Sequence, residues 1–513
     1  MYRYLIVFVF HIIFRKFFKT DLRPFLIKRF LSFRYEISNS MENDLIPDES
    51  IKFFKENILE NTSLYSKKND KRALWENHRL DIINSDKFSL KIRTGILLLW
   101  INYSKRFDLI VFENMMEASL RSSNILIFLV KNKDNLSKEI IKTLMGILRN
   151  TFLLNIYAPD MFIKRDVLRI LDHSNNHFIF CLCFQLLYMN YKQPLSQTKI
   201  KKFLNYFEKK FSIDGFLKEG STFYSYSVSN AILKVLFFLD FKDIKRFERL
   251  YKSFCISTND DIHLKNLNIG DRDGTILLPN TDSNPDFANY IDRQAFDNFH
   301  PFNNLSLIKK NNLKIIVNHR KVYDYGSLGH YHDDYGHFNL YHKDQIIYDP
   351  GTFSYSSEDK RFDSSVYHNA ITIDESDSMI HKQKFEKVFN SKIKTEIKNG
   401  TLKLSKYDSH GKWKREFKQN SLTFYDQFTF SRTPILNIFF KLQPEIFPIN
   451  SKEIEIVTEN IKIEISCNEL LNYNIQKTII AEDYLKHFVG YHLKISFKKS
   501  IENRLEWKVK CLN

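Results

Sequence analysis

The chain has 513 residues, with 77 Lys and Arg against 60 Asp and Glu, a formal net charge of +17 and 15% aromatic residues. That length exceeds one ordinary hydrophobic core and implies at least two domains. The positive balance suggests an anionic partner, but no Lys/Arg block, RNA-binding signature or zinc-finger spacing points to nucleic acid, and Cys181, Cys183, Cys255, Cys467 and Cys511 form neither CxxC pairs nor an even disulfide framework.

The chain begins with an apolar run over residues 5–14, ahead of Arg15 and Lys16. It is too short to span a bilayer and lacks a strongly charged leader and a small-residue cleavage site. A degenerate export signal and a membrane-surface helix both stay open, and with them the location, exported or cytoplasmic. Residues 1–48 are left unassigned.

From 49 to 260 the apolar residues recur at helical spacing. In residues 198–211, Ile200, Phe203, Leu204, Phe207 and Phe211 form one stripe with lysines opposite. Ser137 is placed as the N-cap of a helix that buries Ile140, Ile141, Leu144, Ile147 and Leu148. Similar helices are drawn through 93–103, 124–131, 178–191 and 231–239. No fixed-period repeat is evident, so the expectation is an irregular all-α domain.

Residues 261–300 read as linker and loops, with GDRDG at 270–274. From 301 to 513 short alternating runs take over, at 313–317, 402–405, 421–430, 454–457, 461–467 and 492–497. Ile461, Ile463, Ile465 and Cys467 share one face, and Lys462, Glu464 and Ser466 the other. Such half-buried strands predict a β-sandwich.

Three stretches carry chemistry. Asn175, Asn176 and His177 stand at the mouth of the helix drawn from Phe178, where amide and imidazole donors can face an anion or simply cap the helix. Asp214, Gly215, Glu219, Gly220, Tyr224 and Tyr226 lie in DGFLKEGSTFYSYS, read as an exposed, glycine-rich loop or an aromatic-packed turn. The richest stretch is 329–355, GHYHDDYGHFNLYHKDQIIYDPGTFSY. In an extended strand His330, His332 and Asp334 would share a face, with Tyr331 and Asp333 on the other. Asp349 returns ahead of a Pro-Gly turn and His368 follows, so His332, Asp349 and His368 can be drawn as a zinc site that leaves His330 free. His337 and His342 read as surface groups or extra substrate contacts.

In order and separation, NNH at 175–177, DGFLKEGSTFY at 214–224, GDRDG, GHYHDD with YDPGTFSY, and RFDSSVYHNAITID at 361–374 resemble the heparinase II/III-like polysaccharide lyases, a family that includes related alginate lyases. The resemblance implies an incomplete α/α toroid followed by an antiparallel β-sandwich, with the cleft between them and an anionic polysaccharide as substrate. It implies that Asn176 and His177 neutralise the substrate carboxylate, that Tyr224 is the catalytic tyrosine, with Tyr226 the alternative, and that His330 is the catalytic histidine. It also implies a structural zinc on His332, Asp349 and His368. Two further readings remain. One is a glycoside hydrolase using Asp333 and Asp334, disfavoured because neighbouring strand residues face opposite ways. The other is a non-catalytic glycan-binding or surface-polysaccharide assembly protein.

Overall fold

The computed structural model describes residues 46–67, 71–104, 114–157, 176–208, 210–211, 217, 221–241, 255–257, 262–263, 305–319, 332–352, 365–373, 379–383, 386–389, 392–408, 411–418, 421–483, 486–499 and 502–512. These fall into two compact units, one within Met1–Lys210, Ser227–Phe247 and Thr275–Tyr290, the other within Phe211–Tyr226, Glu248–Gly274 and Ile291–Asn513. The apolar run at 5–14 and GDRDG lie outside the described residues. Among the described residues no helix is long and apolar enough to cross a membrane.

The first unit is helical. Among the described residues its longest helix, Lys138–Tyr157, starts where the sequence places it: Ser137 Oγ accepts from the Ile140 amide at 3.3 Å and Ser137 O from the Ile141 amide at 3.0 Å. Ile140, Leu144, Ile147 and Leu148 then turn one stripe inward, while Ile141 is half-buried. Helix Gln197–Glu208 follows the same rule, with Ile200, Leu204 and Phe207 buried, Phe203 half-buried and Lys199, Lys201 and Lys202 exposed. It stops short of the drawn stripe, and Phe211 instead bridges to Leu217.

Helix Met115–Asn132 is buried on nearly every side. Asn114 Oδ1 caps it, accepting from the Met116 and Glu117 amides at 3.0 and 3.4 Å. Being surrounded, it must satisfy its polar groups internally. Glu117 accepts two bonds from Arg79, at 2.6 and 2.9 Å, Ser122 donates to Thr151, and Ser119 meets Asn155.

The second unit is a sandwich of two antiparallel sheets of eight strands each. One runs, edge to edge, Lys392–Lys398, Thr401–Asp408, Gly411–Lys418, Thr423–Phe430, Asn503–Cys511, Ile461–Ser466, Glu453–Thr458, Glu445–Asn450. The other runs Leu470–Asp483, Lys486–Phe497, Pro434–Phe440, Gln345–Ile347, Phe338–His342, Leu313–Asn318, Leu305–Lys310, and Ile371–Ile373 adds to Pro434–Phe440. The alternation expected at 461–467 holds over Ile461–Ser466, with Ile461, Ile463 and Ile465 buried and the residues between them half-buried, and Cys467 lies past the strand and is half-buried. The inner faces interdigitate: Phe338 of the second sheet meets Phe424 at 5.2 Å and Trp507 at 5.7 Å, both of the first.

One charge sits inside this core. Arg415 is flanked in its strand by Trp413 and Phe417 and is fully buried. Its Nε and Nη2 bond the two oxygens of Asp426 at 2.7 and 3.0 Å, and Nη1 donates to the carbonyls of Gly336 at 2.7 Å and Asn369 at 3.2 Å. Asp426 also accepts from the indoles of Trp413 and Trp507 at 3.1 and 2.8 Å. Removing one partner strands the other charge without water. Asp426→Asn is therefore expected to lower the unfolding free energy by about 3–5 kcal/mol. Arg415→Met with Asp426→Leu should cost less than the sum of the two single changes, as measured by urea denaturation.

Candidate functional site

Asn176 opens helix Asn176–Lys192 and is 1% exposed. Neither its amide nitrogen nor its amide oxygen has a hydrogen-bond partner among the described residues. His177 beside it is half-buried. Asn175 lies outside the described residues. Two unmet polar atoms on one buried side chain cost about 1–3 kcal/mol each.

Tyr224 corrects the loop expected around it. Thr222–Phe238 is a helix, and Ser221 begins it, Oγ accepting from the Tyr224 amide at 3.1 Å and O from the Ser225 amide at 3.1 Å. A serine before a long apolar run outweighs the turn-forming glycines upstream. Tyr224 is thus on the first turn and 3% exposed, with the Phe223 ring edge-on at 6.1 Å, while Tyr226 is half-buried. Asp214, Gly215, Glu219 and Gly220 lie outside the described residues. Asn176 and His177 belong to the first unit and Tyr224 to the second.

His330 also lies outside the described residues, but the rest of its stretch can be followed. Residues 332–337 form a turn, correcting the strand drawn there: the Gly336 amide donates to Asn318 O at 2.7 Å and the His337 amide to Asp334 O at 3.0 Å. Gly336 has φ of +81°, and a Cβ there would come within 2.1 Å of Trp413, so only glycine makes this turn. Strand alternation therefore does not govern the two aspartates. Asp333 is buried and held by Lys406 Nζ at 2.7 Å.

The turn delivers His332 and His337 to Asp349 and His368. All four are buried. His368 Nδ1 lies 3.2 Å from Asp349 Oδ2, and His337 Nε2 lies 3.5 Å from the same oxygen. Asp349 Oδ1 accepts from the Gly351 amide at 2.9 Å. His332 sits with its ring centre 5.4 Å from that of His368, and Thr352 Oγ1 lies 3.2 Å from its Nε2.

His337 is not the surface group expected; it is fully buried. The Asn369 amide donates to its Nδ1 at 2.9 Å, so neutral His337 carries its proton on Nε2 and donates it to Asn339 Oδ1 at 2.9 Å. Burial pulls its pKa below the ordinary value, against the opposing pull of Asp349. Burial pushes the Asp349 carboxyl up, but His368 and then His337 outweigh it and hold that pKa to about 2. Burial lowers His368, and Asp349 overcomes it and raises the imidazole above its usual value.

His337, Asp349 and His368 offer ligand atoms within 4.8 Å of one another. His337 has both nitrogens engaged, so it supports the group as a neighbour. His368 does not: Nδ1 faces Asp349, and Nε2 is buried with no partner among the described residues. Buried imidazole nitrogens and a carboxylate oxygen this close together are a donor set that fits a divalent metal, and the expected ligand His332 lies outside the three that come within 4.8 Å.

Asn369 locks these pieces together. Its side chain donates to the carbonyls of Phe338 and Tyr348 at 3.0 and 2.8 Å and accepts from the Phe439 amide at 2.8 Å. Sequence reasoning passed over it, although it directly follows His368.

This is the geometry within residues 302–458, which match the family model described as heparinase II/III-like, C-terminal. That segment is a heparinase II/III-like C-terminal domain. No curated protein sequence matches the chain significantly. Among solved structures, heparinase III aligns with TM-score 0.58 and 14% identity over 94% of this chain and 79% of that one. A mutant of the heparan sulfate lyase HepC from Pedobacter heparinus aligns with TM-score 0.52 and 13% identity over 96% and 88%. The chondroitin AC lyase of Streptomyces coelicolor, in complex with chondroitin sulphate, gives TM-score 0.50 and 7% identity over 95% and 82%. At such identities the likeness establishes the fold, the α/α toroid and antiparallel β-sandwich expected from the sequence.

The heparinase II/III-like domain depends on Asn369 for the placing of its histidines. Asn369→Ala leaves two carbonyls and one amide inside the sheet without their partners. It is expected to cost about 2–4 kcal/mol in a urea titration, with the far-ultraviolet spectrum of the folded state kept.

Proposed function

We propose that this protein is a polysaccharide lyase that cleaves a uronic-acid-containing glycan by β-elimination. The observation that carries the reading is Asn176, whose amide is buried and without partners at the first turn of a 17-residue helix. The start of a helix favours negative charge, and an amide N–H held there unbonded is a donor reserved for an anion. The heparinase II/III-like domain and the shared fold agree with that use.

The chemistry follows from the substrate. The C5 hydrogen beside a uronate carboxylate is too weakly acidic to leave unless the charge spreading onto that carboxylate is stabilised as it forms. Asn176 and His177 serve that purpose. Tyr224 and His330 divide the remaining work, one taking the C5 proton and the other giving a proton to the departing oxygen at C4. The C5–H and C4–O bonds break, a C4=C5 double bond forms, and no water is consumed.

A structural zinc belongs to the same reading, held by His332, Asp349 and His368. The ionised Asp349, with His368 Nδ1 at 3.2 Å from its Oδ2, supports it. When bound, such an ion would neutralise the buried carboxylate and tie together the segments carrying 332, 349 and 368. His337 would stay outside the ligand set and orient its neighbours through Asn339 and Asn369.

Absorbance of the unsaturated uronate product, followed with a panel of uronate polymers, tests the activity. Wild-type protein is expected to respond to at least one polymer, and Asn176→Ala, Tyr224→Phe and His330→Ala should each lose more than about a hundredfold in rate. Reducing ends without the absorbance would indicate hydrolysis, and a silent protein that still retains polymer would indicate a binding protein. The metal is tested apart from activity. Elemental analysis should find about one zinc per chain, falling well below half in His332→Ala and His368→Ala, with a lower melting temperature in both. Wild-type protein that melts identically with and without a chelator would rule the zinc out.

A further inference from the structure

The outer face of the first sheet carries matched lysines over most of its width and, at one corner, two rows without acids. On one half the lysines are matched: Lys462 pairs with Glu455 at 3.1 Å and Glu464 at 2.9 Å, and Lys510 pairs with Glu464 at 2.7 Å. On the other half Lys403 pairs with Glu416 at 3.0 Å, but the two rows beyond that pair are different. The register sets Lys392, Tyr407, Lys412 and Thr429 side by side in one row across four strands. The next row holds Lys394, Ser405, Lys414, Gln427 and Arg504.

These two rows hold five cations and no carboxylate. All five are exposed, because Leu404, Trp413, Arg415 and Phe428 of the same strands occupy the core side. Lys394 pairs with Glu396 in the neighbouring row, whereas Lys392, Lys412 and Lys414 have no acidic partner among the described residues. Tyr407 stands between Lys392 and Lys412, 40% exposed. A lysine-rich composition alone does not explain why these two adjacent rows hold no acid while the row beside them holds Glu396, Glu416 and Glu506.

We propose that this corner of the sheet is a second, non-catalytic docking face for an anionic polysaccharide. Sheet geometry spaces the cations at about 10 Å across alternate strands and about 7 Å along a strand, so a linear polyanion can meet several at once. Tyr407 offers a flat apolar face to a sugar ring between two ammonium groups. A single-stranded nucleic acid would need a series of aromatic platforms for its bases, and Tyr407 is the one aromatic residue in these rows. The proposal takes the class of polymer from the lyase reading, but it is tested by binding, which is scored independently of cleavage.

The variant Lys392→Ser/Lys412→Ser/Lys414→Ser is compared with Lys52→Ser/Lys131→Ser/Lys310→Ser, which removes equal charge from exposed lysines elsewhere. Fluorescent heparin and fluorescent alginate are titrated against both and against wild type, at low and physiological salt. The first variant should bind at least one polymer about tenfold or more weakly than wild type, with a shallower salt dependence. The control should bind within about twofold of wild type. Tyr407→Ala should weaken binding without changing the salt dependence. Equal binding by the two triple variants, or no polymer binding by wild type, overturns the proposal. So does a single-stranded oligonucleotide that binds wild type as tightly and loses as much in the first variant. If binding behaves as expected while no polymer yields an absorbance change, the docking face stands and the lyase reading falls.

Discussion

Arg415 and Asp426 form the contact on which the second unit is built. A guanidinium with no access to water is tolerated only if its donors are largely used, and here two of the five go to the carboxylate and two reach the carbonyls of Gly336 and Asn369. Those carbonyls belong to the turn that carries His337 and to the segment that carries His368. One ion pair in the wall of the sandwich thus fixes the two backbone segments that present the histidines. Phe338, Trp413, Phe424 and Trp507 surround the cation within 5.9 Å, excluding solvent and adding attraction from their ring faces.

The histidine cluster inherits this rigidity. Gly336 turns against the Trp413 ring, Asn369 closes hydrogen bonds to two strands and to Tyr348 just past a third, and Asp349 is left charged in a dry interior with imidazoles as its counterweight. Such a carboxylate is costly unless it organises something. Its effect is to hold His368 with one nitrogen spoken for and the other bare. The division of labour among neighbours, His337 saturated and His368 not, is a matter of protons and could not be inferred from residue spacing.

Much of the architecture could be read in advance because burial imposes periodicity. The stripe Ile200, Leu204, Phe207 and the alternation Ile461, Ile463, Ile465 each needed only one partner surface to become a helix and a strand. Ser137 announced its helix by chemistry alone. The misread places share a cause. Residues 330–334 carry alternating polar groups, yet the turn at Gly336 is dictated by Trp413, which lies far off in sequence. The Tyr224 segment reads as a loop from its glycines, although the helix that contains it is set by the apolar run downstream. Arg415 was legible in principle, as a charge between Trp413 and Phe417 on an inward face. Asp426, inside another apolar strand, was its natural partner. Asn176 was found by position, but that its amide is buried and unmet is known only from the structure.

The placement of Asn503–Cys511 bears on how the protein comes to be folded. This strand lies between Thr423–Phe430 and Ile461–Ser466 in its sheet, and a ribosome delivers it after every other strand there. Until it arrives, the sheet is two separate groups of strands, each with an inner edge of unpaired amides and carbonyls and with Phe424 lacking its stacking partner Trp507. Exposed edges of that kind recruit other chains. Nascent protein is therefore vulnerable to association until this strand has been made, and shielding it during that interval falls to chaperones or to speed.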